Sequence, residues 1–164
     1  MDFNKYFSYK DGEIFWKDTC PAILWRGKKA GCFEQSNGYM MVALKKKKYL
    51  VHRVIWQMHN GHLESKHWLD HINRDRLDNR LENLRRATAG QNISNQVKRK
   101  NCSSNYKGVY KLKRSGKFYA QLCVNKKNIY LGYFECEKAA ALAFNEAAIK
   151  HCGEFAVLNV VSSG

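Results

Sequence analysis

The sequence predicts an α+β chain, on three observations. Short apolar and aromatic runs alternate with turn signals from residue 6 to 51. Three more such runs follow between 108 and 134. Helical signals are confined to shorter stretches, chiefly the apolar spacing at 52–59 and an alanine-rich segment at 137–151.

The first strands are Tyr6-Phe7-Ser8-Tyr9 and Glu13-Ile14-Phe15-Trp16, joined by a turn at Lys10-Asp11-Gly12. Gly38 to Leu44 and Tyr49-Leu50-Val51 pair across a basic hairpin turn, Lys45 to Lys48, equally readable as a solubilising loop or a DNA-backbone contact. Val54, Ile55 and Met58 then place a helix over His52 to His59, with Asn60-Gly61 as its stop. His52 and Arg53 open it, and His52 is read as structural.

Trp68 to Ile72 reads as a strand, Asn73 to Asn79 as a loop, and a second strand runs near Leu84. A helix from Gln91 to about Val97 takes Thr88 as its cap. Lys98 to Asn105 is polar, basic and without periodicity, so it is the expected linker between a domain at 1–97 and another at 106–160. The second domain has strands at 108–112, 117–124 and 127–134, with turns at Arg114-Ser115-Gly116 and Asn125-Lys126. Its helix, Glu137 to His151, offers Ala139, Ala140, Ala143 and Ala147 for close approach to the sheet.

With 164 residues, two small domains of modest core are possible. A single Pro and 45% hydrophobic content argue against disorder. No run approaches the roughly 18 apolar residues of a membrane span, and Met1-Asp2-Phe3-Asn4-Lys5 lacks an apolar signal region. A cytoplasmic protein without membrane contact is expected. The six cysteines never form a C-x-x-C pair, so they are read as reduced structural thiols.

The net charge is +15. Between Leu84 and Phe134 every charged side chain is basic, which points to a polyanionic partner.

The chemistry concentrates in Asp70-His71-Ile72-Asn73, with Asn83 and Asn92 downstream. A hydrolytic phosphodiester site needs a base, an oxygen-ligated cation and groups that hold both. The stretch supplies all three. His71 is the candidate general base, since its unperturbed pKa of about 6.5 leaves it neutral near cytosolic pH. Regular strand alternation would point Asp70 and His71 to opposite sides, so the backbone is expected to bend or end there.

Val51-His52-Arg53-Val54-Ile55-Trp56, Leu69-Asp70-His71-Ile72-Asn73, Asp78-Asn79-Arg80-Leu81-Glu82-Asn83-Leu84-Arg85 and Ala87-Thr88 through Gln91-Asn92 together resemble the HNH nucleases. The match is to the phage and intron-encoded homing type, whose last His is replaced by Asn. The resemblance implies a ββα-metal core, with His71 and Asn83 catalytic. Asp70 and Asn92 would hold one Mg²⁺ or Mn²⁺ per site, and Asn83 would orient His71 through a hydrogen bond and brace the loop. Asn73 and Asn79 become turn residues, able to take positive φ or to bond their own backbone; Asp75, Asp78 and Glu82 are further carboxylates near the site, read as surface loop positions, with recruitment of one in a two-metal scheme as the alternative.

Tyr106-Lys107-Gly108-Val109, Gly116-Lys117-Phe118, Tyr130-Leu131-Gly132, the alanine-rich helix and Leu158-Asn159 resemble the AP2 DNA-binding domain. That family lays a three-stranded antiparallel sheet in the major groove. Phe118 and Tyr130 stand where tryptophan is common, so base preference does not carry over.

The expected activity is metal-dependent endonucleolytic hydrolysis of double-stranded DNA, in a bacterial host, encoded by a phage or mobile element. No small-molecule cofactor is expected, and the chain is a monomer or dimer. Arg80, Arg85, Arg86, Lys98, Arg99, Lys100, Lys107, Lys113, Lys126 and Lys127 are expected at phosphates, and Tyr110, Arg114, Tyr119, Gln121 and Tyr130 at bases. Two other readings are a DNA-binding regulator with a relic nuclease module and an RNA-binding protein.

Overall fold

The structure, a computed structural model, describes residues 1–20, 22–64, 66–98 and 102–161. It divides into two compact units, Met1–Ala87 and Thr88–Gly164.

Strands β1 (Phe7–Lys10), β2 (Glu13–Trp16) and β3 (Lys29–Ala30) form the first sheet of the N-terminal unit. β4 (Cys32–Glu34), β5 (Tyr39–Leu44) and β6 (Lys47–Leu50) form the second, and α1 (Val51–Asn60) follows directly. The β1–β2 and β5–β6 loops have two residues each, Asp11-Gly12 and Lys45-Lys46, all at positive φ. Such turns match the twist of the strands they join. The expected basic turn is therefore half as long as predicted, since Lys47 and Lys48 already pair in β6.

The core of this unit gathers Phe3, Phe7, Ile14, Val42, Val51, Val54, Ile55 and Leu84. α1 contributes Val54 and Ile55 from the expected stripe, with Met58 partly buried at its margin, and adds Val51, which the sequence placed in the preceding strand. It starts one residue earlier than expected and ends at Gly61, whose φ of 73° suits glycine. β3, β4 and the short 3-10 turns were absent from the sequence reading, being two or three residues long.

β7 (Trp68–His71) and β8 (Leu84–Ala87) make an antiparallel pair. α2 (Ala89–Ser94) follows with Thr88 as N-cap: its hydroxyl accepts from Gln91 N at 3.2 Å while Gln91 Oε1 accepts from Thr88 N at 2.8 Å. The cap is the predicted residue, but the helix starts at 89 and not at 91.

The unit boundary falls at 87/88, ahead of the expected linker, because α2 packs with the C-terminal unit. Asn125 lies against Gly90, and Lys107 Nζ donates to the carbonyls of Ser94 and Gln96, both at 2.6 Å. Three residues of the expected linker also belong to that framework. Ser104 Oγ and Asn105 N both donate to Glu137 Oε1, and Ser103 Oγ accepts from Lys111 N. Arg99 and Lys100 lie outside the described residues.

β9 (Val109–Lys111), β10 (Phe118–Val124) and β11 (Lys127–Phe134) form one antiparallel sheet in the order β11-β10-β9, backed by α3 (Glu137–Cys152). The core is Val109, Ala120, Leu122, Ala140, Ala141, Phe144 and Ala148. The helix thus presents a stripe rotated from the expected one, with Phe144 in it and Ala139, Ala143 and Ala147 at its margins. Gly108 explains the close packing: at φ 72°, a Cβ there would stand 2.2 Å from the Phe144 ring. Among the described residues, no helix is long and apolar enough to cross a membrane.

Candidate active site and nucleic-acid interface

β7 ends at His71, as the chemistry required. Asp70 sits opposite Arg85 in the ladder, so the two side chains share a face, and Arg85 Nε donates to Asp70 Oδ2 at 3.0 Å. Both are largely buried. Arg85 was expected on phosphate. The register places it on the carboxylate instead, where it compensates a buried negative charge.

His71 faces other partners. Its Nε2 lies 3.2 Å from Asn79 Oδ1. The Asn79 amide nitrogen donates to Leu77 O, which fixes its oxygen toward the imidazole. In the neutral ring Nε2 therefore carries the proton and donates, and the lone pair is on Nδ1. Burial pushes the His71 pKa below its ordinary value, against the opposing contact with Asn79 and the carboxylates of Asp70, Asp75 and Asp78.

The His52 ring packs edge-on to His71 at 5.0 Å between centroids, and Tyr39 stands 5.1 Å from His52 and 6.0 Å from His71. The Arg76 guanidinium caps Tyr39 at 4.9 Å. Burial, and then the neighbouring His71 and Arg53, push the His52 pKa down to about 3, and its buried Nδ1 has no hydrogen-bond partner. His52 is therefore a neutral packing ring at the site.

Residues 72–83 have little regular structure, so side chains supply the hydrogen bonds that a ladder would. Asn83 Oδ1 accepts from Asn73 N at 2.9 Å, while Asn83 Nδ2 donates to Asp78 O at 2.7 Å and to Asn73 Oδ1 at 3.0 Å. Asn73 Oδ1 also accepts from Asp75 N at 2.8 Å, and Asp75 Oδ1 accepts from Leu77 N at 2.9 Å. These are Asx turns nested within one loop. Positive φ falls on Arg74, not on Asn73 or Asn79.

The expected division of labour among the asparagines changes accordingly. Asn83 braces the loop, as its spacing implied, but all its side-chain bonds go to Asn73 and Asp78. Asn79, read as a turn residue, is the one that holds the His71 ring. The resemblance assigned that contact to Asn83, whereas the structure gives it to Asn79.

Arg80 was also expected on phosphate. Its Nε and Nη2 donate to the two Asp78 oxygens at 2.8 Å each, and this fork holds the Asp78 pKa well below the usual carboxylate range. Asp78 in turn accepts from Asn73 Nδ2, so the ion pair belongs to the loop.

The N-terminal hairpin is tied to the same loop. A Cβ on Gly12 would stand 2.9 Å from Arg80 N, and the Tyr9 hydroxyl accepts from Leu81 N at 3.2 Å. Arg76 Nη1 donates to Asn37 O at 3.0 Å. The first two sheets therefore support the site. Among the described residues, no cluster of three or more His, Cys, Asp or Glu could hold a metal.

Asn92 lies half-buried on α2 in the C-terminal unit. In that unit β10 turns Tyr119, Gln121 and Cys123 away from α3, while Ala120 and Leu122 pack beneath it. Tyr119 pairs with Tyr110 on one side and Tyr133 on the other. Tyr110 and Tyr119 stack at 5.0 Å, Tyr130 stands 6.4 Å from Tyr119, and Tyr133 meets Tyr130 edge-on at 5.4 Å. Four tyrosines thus line one face. A bulge beside Ala120 and Gln121 brings Tyr130 opposite Gln121 and keeps Tyr133 on the same face. Tyr133, 66% exposed, was missed because strict alternation would have separated the two.

Lys113, Arg114, Lys126 and Lys127 are exposed, as is Arg86, which lies over the Trp56 ring. Lys98 is half-buried. Lys107 is not at a phosphate position: its ammonium binds the carbonyl end of α2, where the helix dipole favours a cation.

Residues 49–93 match the family model described as HNH endonuclease, a segment that contains α1, β7, the Asn-rich loop and β8. The "Uncharacterized HNH endonuclease L560" of Acanthamoeba polyphaga mimivirus is 34% identical over 115 residues, covering 70% of this chain and 59% of the relative. The chain therefore spans about three fifths of the length of the curated relative it matches. A solved structure of DNA binding and cleavage by the HNH homing endonuclease I-HmuI is similar over 58% of this chain and 56% of that chain, at 23% identity and a TM-score of 0.45.

Proposed function

We propose that the chain is an HNH-type DNA endonuclease that hydrolyses phosphodiester bonds, with the C-terminal unit acting as an AP2-like module that positions it on duplex DNA. The observation that carries this reading is His71: a buried imidazole at a strand end, next in sequence to Asp70, oriented by Asn79 so that Nδ1 is basic. It lies inside the segment of HNH endonuclease type.

His71 takes the proton from the attacking water at Nδ1. Asn79 keeps the ring in that tautomer, and His52 and Tyr39 exclude water from its flank. Asn83 and Asp78 hold the loop from which Asn79 reaches back. Asp70 is the proposed cation ligand on β7; for Asn92 the same role is what the resemblance implies. Carboxylate and amide oxygens are hard donors and suit Mg²⁺ or Mn²⁺, which complete their shells with water and phosphate. A bound ion would supply polarisation of the scissile phosphate and stabilisation of the departing 3′ oxygen. The expected ends are 5′-phosphate and 3′-hydroxyl.

The tyrosine face of β9, β10 and β11 offers stacking and hydrogen-bonding groups, with Lys113, Arg114, Lys126 and Lys127 for phosphates. Base selection at this face would direct where the first unit cuts.

The test is conversion of supercoiled plasmid with and without Mg²⁺, for the parent and His71→Ala. Metal-dependent nicking or linearisation should fall by about 10² to 10⁴ in rate when the base is removed. Tight duplex binding without cleavage by the parent in Mg²⁺ or Mn²⁺ would instead indicate a DNA-binding regulator.

A further inference from the structure

The connection between β2 and β3 carries an apolar tip that the active site does not use. Ile23, Leu24 and Trp25 are consecutive, and 73%, 80% and 53% exposed. Three adjacent large apolar side chains held in water mark a contact surface, whereas a lone exposed leucine would not.

The tip is built rigidly. Gly27 N donates to Trp16 O at 2.7 Å and Trp16 N to Lys28 O at 2.9 Å, closing the base of the loop. Trp25 N donates to Ala22 O, Arg26 N to Ile23 O and Lys28 N to Trp25 O, which fixes the tip backbone as successive tight turns. Arg26 Nε donates to the carbonyl of the buried Cys20 at 3.0 Å, and Thr19 Oγ1 anchors the other limb on Lys5 O. The side chains therefore project from a supported stem.

Charge identifies the partner. Lys17, Arg26 and Lys28 flank the tip in the sequence against Asp18, while Lys29 is paired with Glu13, on a chain of net charge +15. Aliphatic groups cannot read base edges by hydrogen bonding, but they and an indole can enter between stacked bases while flanking cations meet the phosphates.

We propose that Ile23-Leu24-Trp25 is a wedge that enters a base step of duplex DNA, opening the stack while Arg26 and Lys28 hold the adjoining phosphates. This rests on the reading of the chain as a protein that acts on DNA. Opening a step bends the duplex, so the wedge would give the N-terminal unit its own preference for deformable sequence.

The test uses the full chain in chelator, so that binding is observed without cleavage. A set of mixed-sequence duplexes carries 2-aminopurine at successive positions and a donor and acceptor dye at the ends. The parent should raise 2-aminopurine emission at a confined position and shorten the end-to-end distance. The triple variant Ile23→Ser, Leu24→Ser, Trp25→Ser should lose both signals and bind about tenfold more weakly. Leu24→Lys, which keeps the attraction to phosphate and leaves the stem intact, should lose the emission rise with nearly unchanged affinity.

Parent-like emission and bending in both variants would overturn the wedge. So would a flat response from a parent that binds the duplex and cuts plasmid in Mg²⁺, which leaves the nuclease reading intact. Emission and bending by a parent that never cuts would sink the nuclease reading and retain the wedge. If the triple variant instead loses pelleting with anionic phospholipid vesicles, or self-association in sedimentation, while its DNA signals match the parent, the tip serves a membrane surface or a second copy and the proposal fails.

Discussion

The two units place polar chemistry in opposite ways. The N-terminal unit buries Asp70, His71, Asn79 and Asn83 and satisfies them through side-chain bonds, Asp70 across the β7–β8 ladder and the others through the Asn-rich loop. The C-terminal unit instead spreads tyrosines over the outer face of a sheet whose inner face packs small residues against α3. A reacting group must be oriented and shielded from water, which requires burial and a partner for each polar atom. A surface that meets an extended polyanion needs area and a rigid support. The first unit is accordingly sensitive to single polar atoms, the second to volume.

Gly108→Ala should have the largest effect on stability, about 3 kcal/mol or more, because it adds a methyl at positive φ against Phe144 and Gln121 O. Denaturant unfolding followed by tyrosine fluorescence should report the loss. A change of a few tenths of a kcal/mol would mean that the second unit tolerates volume after all.

Acid should act on the first unit through its buried histidines. The folded-state pKa of His52 is about 3, below its unfolded value of about 6.5, so the native state binds fewer protons. Its contribution is fully present above pH 6.5 and is lost at about 1.4 kcal/mol per pH unit as pH falls toward 3. His71 shifts in the same direction. In His52→Phe, the melting temperature should fall less steeply between pH 6.5 and 4.5 than in the parent. Parallel curves would show that other groups set the acid limit.

Asn79→Ala should lower the cleavage rate by about 10- to 100-fold, since the proton on Nε2 loses its acceptor and the ring its fixed tautomer. Asn83→Ala should act mainly on stability, by about 2 kcal/mol, because it leaves loop groups without partners. Comparing kcat with the denaturation midpoint separates the two. If Asn83→Ala lost rate at full stability, the roles assigned to the two asparagines would be reversed.

The smallest effect belongs to the exposed sheet. Tyr119→Ser removes the ring between Tyr110 and Tyr130 and should weaken duplex binding by about tenfold, with kcat at saturating DNA unchanged. An equal fall in kcat would tie the sheet to chemistry and dissolve the contrast between the units.

Most elements were legible because burial on one face writes a period into the chain. β10, β11, α1 and α3 lie within a residue or two of their expected spans. The turns at Asp11-Gly12 and Asn125-Lys126 also carried residues suited to positive φ. Elements of two or three residues, such as β3, cannot express a period, and the bulge that groups Tyr130 with Tyr133 breaks one.

By itself the sequence determined the residue types of the site: Asp70 beside His71, asparagines at set intervals, and a basic second half. Only the tertiary structure decided their partners. Cross-strand register gave Arg85 to Asp70, chain reversal within the Asn-rich loop gave Asn79 to His71, and α1 brought His52 against the same ring. Hydrogen bonds and ring contacts depend on distances of a few ångströms between residues far apart in the chain. Periodicity fixes which face a residue occupies, not which neighbour it meets there.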